Sequence, residues 1–386
     1  MTVMDTDKPV ETGENFRFYD NRQKYLMFVN TCSEKWVVSN RLARELDRLK
    51  PQPPALRFFD AGMGDGTILA RVMRAMHHRF PNYPFYISGK EISLEDVRLT
   101  LDKMPDRFFE HPATVLAITN ISYADAPWLT PHKDEDARRM IWHEVVLQGT
   151  TTAGFEQQIL EIQDFLAEAW QTKVNPATGN PAPARPTALI VYREDHRFLL
   201  DSIIPRRDAP KADFDLILAS QPFRARAKVD FKAKRVLAPL ARGLRKGGRL
   251  LGIHSAGDDP ALEIVQKVWP GEHPFTTTRH ALLNATRDAL GEEAQDFRFD
   301  PLPDSQAIFR YEMHTMPDEI DSDMTSIGTS TLLAAWNAAT YVAQIEDERL
   351  AEAMSQSAYL KATRDVLNKY GALWFNDESY IIERTA

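Results

Sequence analysis

The chain has 386 residues, 43% of them hydrophobic and 26% charged, and carries a formal net charge of −8. That length exceeds one small core, and the composition is that of a globular chain with no apolar run near the roughly 20 residues of a membrane helix. The acidic balance argues against membrane association and against general affinity for nucleic acid, and Cys32, the only cysteine, excludes an internal disulfide and fits a cytoplasmic setting.

Residues 1–15 are polar and acidic and read as a disordered leader. Tyr25, Phe28, Val29, Trp36, Val37, Leu42 and Leu46 follow at helical spacing, and Pro51, Pro53 and Pro54 end that helical cap, assigned to residues 1–50. An α/β alternation comes next. Strands are expected at Leu56–Asp60, Phe85–Ser88, Thr114–Thr119, Phe214–Ser220 and Arg249–His254, with helices at Thr67–Arg79, Ser93–Met104 and Lys232–Leu244. This pattern implies a mainly parallel sheet covered on both faces, so residues 51–130 and 211–317 are assigned to one α/β core. Phe297–Phe299 and Ala307–His314 read as late strands forming a hairpin edge.

About ninety residues separate the third and fourth strands, far more than an ordinary connection. Within that gap Phe155, Ile159, Ile162, Leu166 and Trp170 recur at helical spacing, ahead of a Pro-rich break and an extended segment at Thr187–Tyr192. Residues 131–210 are therefore expected to be an inserted subdomain, serving as a lid or a homodimer contact. Residues 318–386 read as a helical region with a closing strand at Trp374–Glu383.

Phe58-Phe59-Asp60-Ala61-Gly62-Met63-Gly64-Asp65-Gly66-Thr67 places three glycines between a buried strand and a helix. Glycine there permits a tight turn and lets a ligand lie against bare backbone. Glu91 stands 25 residues after Gly66, at the end of the second strand, where a carboxylate can accept from ribose hydroxyls. The spacing is GxGxG, whereas a dinucleotide fingerprint is GxGxxG. Asp65 would repel a pyrophosphate but suits a ligand carrying an ammonium and a sulfonium, which favours S-adenosylmethionine over NAD.

The same segment resembles motif I of class I S-adenosylmethionine-dependent methyltransferases, and Glu91 matches their ribose-binding acid. The resemblance implies a Rossmann-like sheet of seven strands with the last antiparallel, and S-adenosylhomocysteine as product. It assigns Asp60, Gly62, Gly64, Gly66, Glu91 and Ser220 to the cofactor, with Asn120 or Asp125 meeting the adenine.

On the acceptor side, Ser220-Gln221-Pro222-Phe223 follows the fourth strand and is distantly similar to the (N/D/S)PP(Y/F) signature of amino-group methyltransferases. A fuller resemblance is to histamine N-methyltransferase and its relatives. It is carried by Lys24–Glu34, by Gln221, by Ser255-Ala256-Gly257-Asp258 and by Trp374–Ile382. It implies that Glu34, Gln221 and Asn376 handle the acceptor. The expected activity is methyl transfer to a nitrogen of a small-molecule amine. The alternatives are an O- or C-methyltransferase, a protein or RNA methyltransferase that uses the ten basic residues between Arg224 and Arg249, and an inactive donor-binding protein. No HExxH or comparable metal-ligand spacing occurs, and His254 reads as structural.

Overall fold

Short apolar runs separated by amphipathic stretches give one large sheet with helices on both faces. The structure, a computed structural model, describes residues 22–176, 181–314 and 327–386; the leader expected over residues 1–15 lies outside them. The strands in chain order are β1 (Leu56–Asp60), β2 (Phe85–Lys90), β3 (Thr114–Thr119), β4 (Ile141–Leu147), β5 (Thr172–Val174) and β6 (Pro181–Pro183). They continue with β7 (Thr187–Arg193), β8 (Phe214–Ser220), β9 (Leu244–Ser255), β10 (Phe297–Asp300), β11 (Ile308–Glu312) and β12 (Trp374–Arg384). The main sheet runs β10-β12-β9-β8-β1-β2-β3-β7-β4, with β11 also paired to β12. Every residue of β1, β3 and β7 is buried, as befits strands covered on both faces.

The expected α/β core is present, and its last strand runs antiparallel to β9. Two details depart from the sequence reading. β10 and β11 form no hairpin; each pairs with β12, at Ile381–Arg384 and Trp374–Glu378 respectively. An eleven-residue final strand is long enough to hold both, and a short helix, Asp304–Ala307, separates them. The helix expected over Lys232–Leu244 contains a π-helical stretch at Ala233–Leu237 and ends at Arg242, so that β9 starts at Leu244.

Residues 131–210 add β7 and β4 beyond β3, β7 antiparallel to β3 and β4 parallel to β7. Phe155, Ile159, Leu166 and Trp170 join the same apolar core as Leu69, Met73 and Phe85. The segment thus continues the sheet and covers the edge that β3 would otherwise expose.

Two helices precede the sheet, α1 (Arg22–Thr31) and α2 (Glu34–Leu46), and α3 (Thr67–Arg79) and α4 (Leu94–Asp102) follow β1 and β2. Three further helices, Thr329–Val342, Asp347–Met354 and Ala358–Tyr370, lie in the C-terminal region. Phe28 of α1 packs with Tyr311, Trp336, Tyr341 and Phe375 in a separate apolar cluster, which draws α1 over the end of the sheet. No helix among the described residues is long and apolar enough to cross a membrane.

Candidate functional site

The glycine loop leaves β1 and turns back into α3. Gly64 and Gly66 have φ of +55° and +75°, backbone that L side chains rarely adopt. A Cβ on Gly66 would meet Thr100 Cα at 2.8 Å, and one on Gly64 would lie 3.0 Å from the Tyr25 hydroxyl. The loop is braced from behind: Thr100 Oγ1 donates to Gly64 O at 3.1 Å and Lys103 Nζ to Asp65 O at 2.7 Å.

Glu91 closes this half of the site. Its Oε2 accepts from Gly64 N at 2.9 Å, and Oε1 accepts from Ile92 N and Ser93 N at 2.8 and 2.9 Å. These bonds use three of the ~4 lone-pair positions of a carboxylate, so there is room for one ribose hydroxyl rather than a bidentate grip on two. Burial raises the Glu91 carboxyl above its ordinary value, with Asp96 adding to the shift. Trp170 Nε1 donates to Glu91 O at 2.9 Å, so the 131–210 segment anchors the backbone that presents this acid.

The loop opens onto a cavity of about 360 Å³. Gly62, Gly64, Glu91, Ile92 and Ser93 form one wall, and Ser220, Gln221, Pro222 and Phe223 form the next. The far wall comes from distant segments: Arg22, Tyr25 and Phe28 of α1, Glu34 and Lys35 of α2, Tyr311 of β11, and Tyr341 near the end of a C-terminal helix. Tyr123 completes the aromatic lining, with Lys90 Nζ 4.6 Å from its ring centroid. Phe375 stacks behind Tyr311 at a centroid distance of 5.0 Å.

Glu34 is the first residue of α2 and is buried, and its Oε2 receives no hydrogen bond although Lys35 Nζ lies 3.3 Å away. Gln221 holds a left-handed backbone, φ +48°, unusual for a residue with a side chain and a sign of local strain at a turn that lines the cavity. Its Nε2 donates to Ser255 Oγ at 3.0 Å and to Asp377 Oδ1 at 3.3 Å. Asp377 is fully buried; burial first, then the Glu34 charge, push its carboxyl well above the usual range.

The structure therefore brings together Gly62, Gly64, Glu91, Ser220, Glu34 and Gln221 around one cavity. It places five expected residues elsewhere. Asn376 points away from the cavity, because Phe375 and Asp377 flank it on the alternating strand; its Nδ2 donates to Gly257 O and Asp258 O at 3.3 and 2.9 Å. Asn120 is buried as a clamp between β3 and β7: its Oδ1 accepts from Thr187 N at 2.8 Å and its Nδ2 donates to Arg185 O at 3.1 Å. Asp125, the alternative for the adenine, accepts from Ser122 Oγ and His132 N in a surface turn. Asp60 lies behind the loop, where Oδ1 accepts from Gly62 N at 3.3 Å, Oδ2 has no partner, and burial pushes the carboxyl up to about 7. Gly66 is likewise off the cavity wall and serves as the left-handed N-cap of α3.

Asp65 also departs from its expected part. It is turned into the start of α3, accepting from Thr67 Oγ1 and Thr67 N, with the Tyr25 hydroxyl at 3.5 Å and Lys103 Nζ at 3.7 Å. Burial alone would raise its carboxyl, but Lys35, Thr67 and Lys103 hold it below the ordinary value. Lys35, Tyr123, Tyr311 and Tyr341 were not singled out from the sequence. Lys35 had one usable signal, its place directly after Glu34; the tyrosines had none.

His254, at the end of β9, pairs through Nε2 with Glu378 Oε1 at 2.8 Å. Against burial, His254 and Arg279 pull the Glu378 carboxyl down to about 2. Four of the ten basic residues between Arg224 and Arg249 pair with acids among the described residues: Arg226 with Glu272, Arg242 with Glu293, Arg245 with Asp215, and Arg249 with Glu45 and Glu383. Lys232 is buried.

No protein-family model matches the chain, and no curated protein matches it. Among solved structures it is similar to geranyl diphosphate methyltransferase in complex with geranyl diphosphate and sinefungin, at 12% identity and TM-score 0.32, covering 91% of this chain and 78% of that one. It is also similar to a sarcosine dimethylglycine methyltransferase of Galdieria sulphuraria, at 8% identity and TM-score 0.33, covering 95% and 86%. A third similarity is to PKMT2 of Rickettsia typhi in complex with AdoHcy, at 10% identity and TM-score 0.31, covering 89% and 52%. Similarities this distant carry no weight for function, which must be judged on the cavity itself.

Proposed function

We propose that the chain is an S-adenosylmethionine-dependent methyltransferase that acts on a nitrogen of a small-molecule amine. One observation carries the reading: a single cavity of about 360 Å³ joins the glycine loop and Glu91 to a buried carboxylate, Glu34, whose Oε2 receives no hydrogen bond, inside an aromatic wall. Its size is near the lower end of ligand sites, ~300–1,000 Å³, and donor and acceptor must share it, which leaves space for a small acceptor only.

S-adenosylmethionine, held in the glycine loop, would supply a methyl group on a sulfonium and leave as S-adenosylhomocysteine. Gly62 and Gly64 would give it bare backbone, and Glu91 would accept a ribose hydroxyl. The protein's part in the transfer is chiefly positioning and exclusion of water. Gln221, fixed by Ser255 and Asp377, would orient the acceptor nitrogen. Glu34 would hold the amine as a cation and take up its proton, so that a neutral lone pair faces the methyl group. Tyr25, Phe28, Tyr311 and Tyr341 would pack against the amine's carbon skeleton, and their faces would favour a cation.

A C-acceptor has less use for the Glu34 carboxylate. The basic run gives a macromolecular acceptor limited support, since four of its ten basic residues are paired with acids of the same chain. The test is methyl transfer from S-adenosylmethionine to a panel of primary and secondary amines, read by mass. Transfer to an amine that falls sharply in Glu34→Gln supports the assignment. Transfer only to alcohols, or undiminished transfer in the variant, contradicts it.

A further inference from the structure

We infer that Lys35 is the residue that holds the α-carboxylate of the donor's methionine end, an assignment that rests on the donor site proposed above. The glycine loop and Glu91 account for a nucleoside, but an α-amino acid end brings a carboxylate, and a carboxylate entering a buried site needs a positive partner.

Lys35 is placed for it. Its side chain lines the cavity together with Gly62 and Gly64, and its charge acts on Asp60 and Asp65, at the two ends of the first glycine turn. An ammonium has three donors, and the one ion pair recorded for Lys35 among the described residues is with Glu34, at 3.3 Å without hydrogen-bond geometry. Tyr25 adds its ring face at 5.5 Å. Arg22, also on the cavity wall, gives one hydrogen bond, to Asp96 at 2.6 Å, and pairs with Glu95 at 2.8 Å, which leaves its Nη2 as a second donor for the same ligand carboxylate. Although burial works against it, the neighbouring Glu34 keeps the Lys35 ammonium charged. A protonated lysine with unspent donors on the cavity side of the glycine loop is what a carboxylate ligand requires.

Two ligands separate this assignment from a merely structural lysine. S-adenosylhomocysteine carries the amino-acid end, whereas 5′-methylthioadenosine keeps the nucleoside and thioether and lacks it. Calorimetry on the full chain should show Lys35→Met weakening S-adenosylhomocysteine by roughly 10–100-fold, the worth of one hydrogen bond to a charged group, and methylthioadenosine by less than about threefold. Lys35→Arg, which keeps the charge, should recover most of the loss. Equal affinities for S-adenosylhomocysteine in wild type and Lys35→Met overturn the assignment. So does an equal fall for both ligands in a variant whose melting temperature is unchanged. A folded wild type that binds neither ligand removes the donor site itself, and Lys35 with it.

Discussion

The donor half of the cavity is built from backbone and the acceptor half from side chains. In the donor half, two glycines at positive φ and the amides of Gly64, Ile92 and Ser93 define the surface, and a single carboxylate, Glu91, ties them together. In the acceptor half, Glu34, Gln221, Tyr311 and Tyr341 arrive from four separate parts of the chain and meet because α1, β12 and a C-terminal helix share an apolar cluster. A backbone site tolerates little, since any side chain intrudes. A side-chain site can be retuned one residue at a time without disturbing the other half.

That contrast can be broken by mutation. The largest effect is expected from Gly64→Arg, which places a side chain at φ +55° against Tyr25; calorimetry should show loss of S-adenosylhomocysteine binding by at least about 100-fold. Glu34→Gln should lower kcat/KM for the amine by about 100-fold, the usual worth of a positioned base, with a much smaller change in S-adenosylhomocysteine affinity, felt through its neighbour Lys35. If Glu34→Gln instead abolished donor binding, the two halves would not be separable.

Asp60 gives a pH test. Its carboxyl stands at about 7 in the folded state against an ordinary value of 3.8, so the folded protein binds the extra proton in between. Stability from this group is fully present below the unfolded value and falls as pH rises from about 4 to about 7. Asp60→Asn, which cannot ionise, should gain stability over wild type in denaturant unfolding at pH 8 and lose that advantage at pH 4. A difference that is independent of pH would contradict the unpaired, proton-bound Asp60.

The smallest effect is expected from Asn376→Ala. It removes two hydrogen bonds to the Gly257–Asp258 loop and should cost on the order of 1 kcal/mol of stability, read as a lowered melting temperature, with donor binding unchanged.

The donor half was legible in the sequence because its meaning is local. A GxGxG turn between a buried strand and a helix, followed by Glu91 at the next strand end, needs no knowledge of distant contacts. Even there, Asp65 is expected at the ligand but turns to Thr67 at the start of α3, since side-chain direction within a turn is set by the helix it opens. The acceptor half was half legible. Glu34 and Gln221 face the cavity, but Asn376 does not, because a one-residue step along β12 reverses the face and only the pairing with β9 decides which face is inward. Asn120 was read as a ligand contact because β7, its actual partner, lies almost seventy residues on and could not be placed beside β3. The tyrosines of the cavity carry no spacing signal and come together through tertiary packing alone.

Calorimetric titration of S-adenosylhomocysteine into wild type and Glu91→Ala tests the central claim most directly. A donor site built on the glycine loop predicts saturable one-to-one binding by wild type, and a loss of at least tenfold when the carboxylate that accepts the Gly64 amide is removed. Absence of binding by folded wild type, or equal affinity in the variant, would contradict it.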